Sequence, residues 1–166
     1  MKLQAGFSML EVLIAIVILS FGLLGVAGLQ LVSLASNHSA QLRSTATTLA
    51  YDMADRMRAN TAAVSAGNYN GNNGADNQCQ SAHFNDTHAA PANCTAAQLA
   101  ADDLYDWGQS LAGLLPNGTG SVCLDSTPST AACDGNGISY SVRVSWDDKP
   151  KNAAPVNKSV VMEFQP

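Results

Sequence analysis

Two cysteines and two histidines in the middle of the chain are of types that bind zinc. Cys79, His83, His88 and Cys94 lie within sixteen residues of one another, and thiolate and imidazole are the usual ligands of Zn²⁺. Their spacings do not match those of a zinc finger. In an oxidising compartment the same cysteines form disulfides instead. Disulfides are therefore the favoured interpretation, and a zinc site is the alternative.

The chain has four cysteines, and four cysteines allow three pairings. The sequential pairing, Cys79 with Cys94 and Cys123 with Cys133, is the favoured one. The first bond would tie a loop to the start of a helix, and the second would close the connection between two strands. A loop of about fifteen residues closed in this way gains about 3 kcal/mol in the chain-entropy model. The connectivity itself stays open at the level of sequence.

A lone carboxylate near the N-terminus lies at the start of a long apolar run. Glu11 precedes the stretch from Val12 to Leu29, in which Ser20 is the only polar side chain. A run of this length can cross a bilayer as a helix. A charge in such a run costs about 3 kcal/mol at the bilayer centre. The carboxylate of Glu11 therefore needs a function that offsets this cost.

No catalytic set is found in the sequence. It has no glycine-rich phosphate loop and no GxSxG motif, and its only glutamates are Glu11 and Glu163. Asp102, Asp103 and Asp106 are expected on a solvated helix face and not at a metal site. His38 is expected on the helix surface. We expect no enzyme, no metal and no cofactor.

Composition narrows the class of protein further. The chain has 166 residues, enough for one domain plus a helix. Only 13% of residues are charged and the formal net charge is −5, which argues against nucleic acid as a partner. Lys2 before the apolar run favours an N-terminus in the cytoplasm. The cysteines would then enter an oxidising compartment.

A single long helix is predicted from Phe7 to about Asn60. Gly22, Gly25 and Gly28 are compatible either with close helix contacts or simply with a membrane helix. In its second half an apolar stripe recurs at steps of three and four, formed by Leu42, Ala46, Leu49, Met53 and Met57. This half is expected to pack on a globular head. Asp52 with Arg56 and Asp55 with Arg58 have the spacing of ion pairs on a helix.

The residues after the long helix predict a small globular head that contains both a helix and strands. Residues 61–94 are rich in asparagine and glycine, with two Asn-Gly steps, and predict a loop. A second helix follows from Thr95, which has capping-box spacing to Gln98, and ends at Pro116. Its apolar stripe is Ala100, Leu104, Trp107, Leu111 and Leu114. Strands are predicted over 121–125, 138–146 and 160–164, with a loop over 147–158.

These elements predict an α+β fold. The long N-terminal helix packs on a small antiparallel sheet with a second helix beside it, and disulfides staple the head.

The N-terminal residues resemble those of type IV pilin precursors. The leader MKLQAG ends in Gly6 and is followed by Phe7, Ser8, two apolar residues and Glu11. The resemblance implies cleavage after Gly6, methylation of the new N-terminal amine of Phe7, and Glu11 as the fifth mature residue. LAYDMADRMRAN and CTAAQLAADDLYDWGQSLAGLLPNG are similar to segments of the minor pilins called PilV, or type IV pilus modification proteins.

The resemblance implies a domain organisation and a set of partners. Residues 1–6 would be the leader peptide, 7–35 the transmembrane and assembly half of the helix, and 36–166 the periplasmic head with the amphipathic half. A single-pass inner-membrane protein would join other minor pilins, prime pilus growth and lie at the pilus tip. Its partners would be the prepilin peptidase, other minor pilins, the major pilin and the inner-membrane assembly platform. An ion pair between Glu11 and the Phe7 amine of a neighbour would set the axial register.

Several other interpretations remain open. A minor pseudopilin of a type II secretion system would have a similar N-terminal helix. A membrane-anchored periplasmic enzyme or zinc-binding domain, and a pilin that binds DNA for uptake, are further alternatives. An ordinary signal peptide or a simple membrane anchor would leave Glu11 unexplained.

Overall fold

The computed structural model describes residues 8–72, 74–79, 93–127, 133–148, 154 and 156–165. The chain divides into two compact units, Met1–Ala40 and Gln41–Pro166. The elements in chain order are α1 (Met9–Ala59), α2 (Thr61–Ser65), α3 (Ala96–Leu114), β1 (Thr119–Leu124), β2 (Tyr140–Asp148) and β3 (Val156–Phe164).

α1 confirms the single long helix predicted from the apolar run and the stripe that follows it. The stripe is buried throughout: Leu42, Ala46, Leu49, Met53 and Met57 all lie in the core of the second unit. Both predicted ion pairs on α1 form, with Arg56 Nε 3.0 Å from Asp52 Oδ2 and Arg58 Nη1 2.6 Å from Asp55 Oδ1.

The sheet of the second unit is antiparallel and has the order β1-β2-β3. Val122, Val142 and Met162 are aligned across the three strands. Along β2, Tyr140, Val142, Val144 and Trp146 turn towards the core, as their alternation with polar residues predicts. This face packs with the stripe of α1 and with α3 in one hydrophobic core.

The β2–β3 hairpin is longer than predicted. β2 continues to Asp148 and β3 begins at Val156, so Asp147 pairs with Asn157 in what was predicted to be a loop. Ile138, predicted to begin β2, is exposed and precedes the strand. The ends of the two strands carry exposed or polar residues. Backbone pairing therefore extends beyond the part where apolar and polar residues alternate in the sequence.

A short helix, α2, occupies residues that were predicted to be a loop. Asn60 caps it by accepting a hydrogen bond from the Ala63 N–H through Oδ1 (3.4 Å). Further along, the segment Gly74–Cys79 lies against α3. The Ala75 N–H donates to Ala101 O (2.9 Å), and a side chain at Gly74 would collide with the backbone of Tyr105.

α3 begins as predicted, with the Thr95–Gln98 capping box formed in both directions. Its end differs, because Leu114 is 59% exposed and Leu115 is the buried residue, at 2%. The Leu115 backbone is extended (φ −122°, ψ 138°) while its N–H still donates to Leu111 O at 3.0 Å. This change of backbone conformation breaks the helical period and brings the Leu115 side chain into the core.

Candidate functional site

The apolar half of α1 buries none of its large side chains within the described chain. Every residue from Ser8 to His38 is exposed, including the large apolar residues from Met9 to Leu34. α1 is the one described helix long and apolar enough to cross a membrane. A surface of this size and character marks contact with lipid or with other protein chains.

Ser8 and Glu11 form the start of this helix. Ser8 Oγ accepts a hydrogen bond from the Leu10 N–H (3.3 Å), and Ser8 O accepts from the N–H groups of Glu11 (3.1 Å) and Val12 (3.4 Å). Glu11 thus lies in the first turn, where the helix dipole favours a carboxylate. Among the residues that the structure describes, nothing forms an ion pair with it.

The predicted processing site lies outside the described residues, because these begin at Ser8. The structure therefore describes Glu11 but neither Gly6 nor Phe7. The pairing of Glu11 with a neighbour's amine stays a prediction.

Ser20 and the glycines of the run leave the helix uninterrupted. Ser20 Oγ donates to Ile16 O (2.7 Å), so the one polar side chain between Val12 and Leu29 is satisfied within the helix itself. Gly22, Gly25 and Gly28 have open space where a Cβ would stand. Packing within this chain therefore does not require glycine at these positions.

The second unit contains a buried polar network that includes an aspartate predicted to lie on a solvated helix face. Asp102, Asp103 and Asp106, expected on a solvated face, are all buried. Asp103 Oδ2 accepts a hydrogen bond from Tyr69 Oη (2.5 Å), and Asp103 Oδ1 lies 3.3 Å from Arg56 Nη1. The signal was present in the sequence, because Asp103 falls three residues after Ala100 and four before Trp107, on the apolar face of α3.

Burial in this network changes the pKa values of its ionisable side chains. Burial raises the pKa of Asp103 above its ordinary value, and the hydrogen bond from Tyr69 and the charge of Arg56 oppose this only in part. Burial, the hydrogen bond to Asp103 and that carboxylate's charge raise the pKa of Tyr69 above 10.0. Burial lowers the pKa of Arg56, but the charges and hydrogen bonds of Asp52 and Asp103 outweigh this effect and raise the pKa above its ordinary value.

Asp102 binds the segment that precedes the first disulfide. Its two carboxylate oxygens accept hydrogen bonds from the backbone N–H groups of Asn77 (2.8 Å) and Cys79 (3.1 Å). This fixes the segment that leads into the first disulfide. Asp102 is therefore a structural residue. It accepts hydrogen bonds from two backbone N–H groups that lie outside any helix or strand.

The four cysteines are paired in sequential order. Cys79 is bonded to Cys94, with Cα atoms 5.8 Å apart, and Cys123 to Cys133, with Cα atoms 6.1 Å apart. Neither Cys79 nor Cys94 is then a thiolate ligand. His83 and His88 lie outside the described residues, and within the described ranges no cluster of three or more His, Cys, Asp or Glu side chains could hold a metal ion. His38 is exposed on α1.

An exposed apolar helix followed by a disulfide-bonded α+β head fits a membrane-anchored protein. Two family models match the chain and together cover residues 1–105. The prokaryotic N-terminal methylation motif matches residues 1–27, and a model described as type IV pilin Tt1218 matches residues 28–105. No curated protein and no solved structure matches. The chain is a type IV pilin, made as a precursor with a methylation-type leader.

Proposed function

We propose that this pilin is a minor pilin, related to PilV, that assembles with other minor pilins to prime pilus growth and lies at the pilus tip. The exposed apolar surface from Met9 to Leu34, with Glu11 in its first turn, supports assembly with other subunits. Such a surface is stable in a bilayer before assembly and against the helices of other subunits afterwards. The resemblance of LAYDMADRMRAN and CTAAQLAADDLYDWGQSLAGLLPNG to segments of PilV supports the minor-pilin part of the proposal.

The mature N-terminus is proposed to be made by cleavage after Gly6 and methylation of Phe7. The new amine of one subunit then pairs with Glu11 of its neighbour. An unpaired charge in an apolar layer costs several kcal/mol, whereas a close pair offsets that cost. Because the pair forms at a single axial offset, it favours one register between subunits.

The proposed route begins at the inner membrane, with one membrane pass and the head in the periplasm. Prepilin peptidase removes the leader, and the assembly platform joins the subunit to other minor pilins and to the major pilin. The function is structural and not enzymatic, and it involves neither a cofactor nor nucleic acid. The two disulfides of the head suit the oxidising periplasm.

A clean deletion strain tests the proposal. Filaments sheared from the cell surface are quantified by their major pilin, while secreted enzymes are assayed in the medium. Loss of pili with normal secretion supports a minor pilin. Normal pili with lost secretion would instead identify a pseudopilin of a type II secretion system, and a strain unchanged in both respects would contradict either assembly function.

The register proposal is tested by complementing the deletion strain with Glu11→Ala. We expect normal amounts of processed protein in the membrane and a loss of surface pili. Glu163→Gln is the matched control, because Glu163 is the only other glutamate and is exposed on β3. Wild-type piliation by Glu11→Ala would contradict the proposed pair.

A further inference from the structure

Four Asn-Gly steps occur in the chain, at Asn70, Asn73, Asn117 and Asn136. Such steps can react chemically without an enzyme, because glycine has no side chain to shield its amide nitrogen from the preceding asparagine. Asn73 lies outside the described residues. The structure describes the other three steps, and it gives them different surroundings.

Hydrogen bonds hold both reacting groups of the Asn70 step. The Gly71 N–H donates to Val122 O (2.8 Å), and Asn70 Oδ1 accepts from the Leu124 N–H (3.1 Å). The amide nitrogen and the side-chain carbonyl are thus both bound to β1. Cyclisation at this step requires both bonds to break.

The Asn117 step is held in a similar way. The Gly118 N–H donates to Leu115 O (3.0 Å), and Asn117 Nδ2 donates to Asp147 Oδ2 (2.8 Å). Gly118 is buried, and a Cβ there would collide with Leu111 O. Ring closure at this step therefore requires the Gly118 N–H to leave Leu115 O in a closely packed turn.

The Asn136 step lies in the exposed connection between Cys133 and β2. Within the described ranges, the Gly137 N–H donates no hydrogen bond and Asn136 Oδ1 accepts none. Asn136 is bound only to its own turn, where its Nδ2 donates to Asp134 O (3.0 Å) and its N–H to Asp134 Oδ1 (2.9 Å). Both Asn136 and Gly137 are exposed to water.

We propose that Asn136 is a site of spontaneous deamidation in the folded head. The Gly137 nitrogen loses its proton to a base in solution and attacks Cγ of Asn136. A C–N bond forms, the bond from Cγ to Nδ2 breaks, and Nδ2 leaves as ammonia with that proton. Water then opens the five-membered succinimide ring, giving aspartate or isoaspartate, and no electrons are exchanged with another molecule.

The product alters the surface of the head. Each event adds one negative charge to a chain whose formal net charge is −5. Isoaspartate also lengthens the backbone by one carbon next to Gly137, where a Cβ would already lie 3.0 Å from Ser126 Cα. The isoaspartate product therefore changes the backbone path of this loop.

The experiment uses the full chain, purified in detergent with its disulfides intact and incubated at mildly alkaline pH. Peptide mapping by mass spectrometry follows deamidation at Asn70, Asn117 and Asn136 over time. We expect Asn136 to react about tenfold or more faster than the other two, because each of them must first break one or two hydrogen bonds. Equal rates at the three steps, or faster reaction at Asn70 or Asn117, would overturn the proposal.

A second arm separates the effect of the fold from that of the local sequence. In the unfolded, reduced chain the three steps should react at similar rates. A preference for Asn136 that persisted there would contradict protection by the fold as the cause. Asn136→Gln should abolish the acidic species that isoelectric focusing detects, and its continued formation would place the main reaction elsewhere.

Discussion

The two units of the chain differ in what covers their apolar side chains. Leu24, in Met1–Ala40, is 70% exposed, whereas Leu111, in Gln41–Pro166, is fully buried. In the second unit apolar residues recur at helical or strand period and find partners within the same chain. In the first unit the apolar residues surround the helix, and within the described chain nothing covers them. The large apolar residues of the first unit are therefore available for contacts with lipid or with other subunits, and the buried leucines of the second unit contribute to folding.

A matched pair of leucine truncations gives the largest expected contrast between the units. Leu111→Ala should lower the free energy of unfolding of the head by about 2–5 kcal/mol, because it removes buried contacts and leaves a cavity. Leu24→Ala should leave it within about 0.5 kcal/mol. Tryptophan fluorescence during denaturant unfolding measures this selectively, since Trp107 and Trp146 both lie in the second unit.

A large decrease in the unfolding free energy of Leu24→Ala, measured by the same fluorescence transition, would contradict this difference between the units. Such a result would mean that the head depends on side chains of the first unit. A loss well below about 2 kcal/mol for Leu111→Ala would instead indicate that the head core relaxes around the cavity.

A second pair of variants compares buried and exposed carboxylates next to arginines of α1. Asp103→Ala should destabilise the head by about 3 kcal/mol, because Arg56 and Tyr69 lose a buried partner. Asp55→Ala removes an exposed pair with Arg58 and should cost under about 1 kcal/mol. Chemical denaturation of the two variants in parallel measures the difference. Equal losses would show that burial does not set the strength of these pairs.

Sequence patterns predicted the helices and strands more accurately than they predicted the polar contacts between these elements. The stripes of α1 and α3 and the alternation in β2 found most of the core, because burial repeats with the period of each element. Asp103 was misplaced because charge suggests solvent, although its position lies on the apolar face. α2 was missed because five residues are too few to show a period.

For the candidate site, the sequence was sufficient to single out Glu11 and the apolar helix. The structure shows in addition that both are exposed within the described chain. Neither the sequence nor one folded chain contains the surface against which Glu11 is proposed to act. In the proposed assembly, that surface belongs to a neighbouring subunit. The partner of Glu11 was therefore inferred from the resemblance to pilins and from the cost of an unpaired charge.

Alkaline pH should destabilise the second unit selectively. Burial raises the pKa of Tyr69 and of Tyr140 in the folded head. The unfolded chain releases these protons above about pH 10 while the folded head retains them, so stability is full below that pH and falls as the pH rises through the folded pKa. For Tyr69 alone the loss is about 1 kcal/mol between pH 10 and pH 11.

Denaturant midpoints of the wild type and of Tyr69→Phe, measured from pH 8 to pH 11, test this. Because phenylalanine cannot ionise, the variant is expected to be less stable at neutral pH but to fall less steeply with pH. Parallel curves would show that Tyr69 does not hold its proton in the folded head. The four tyrosines all lie after Ala40, so the first unit adds no tyrosine to the titration.

The smallest expected contrast concerns the N-terminal caps of α1 and α3. Thr95 Oγ1 accepts the Gln98 N–H (3.3 Å) in a capping box of the head, and Ser8 Oγ accepts the Leu10 N–H (3.3 Å) at the start of the apolar helix. Thr95→Ala should lower the unfolding free energy of the head by about 1 kcal/mol, and Ser8→Ala should leave it unchanged. If Ser8→Ala lowered the fluorescence midpoint as much as Thr95→Ala, the start of α1 would be coupled to the folding of the head. The two units would then be one cooperative structure, and the exposed helix would contribute to stability as well as to assembly.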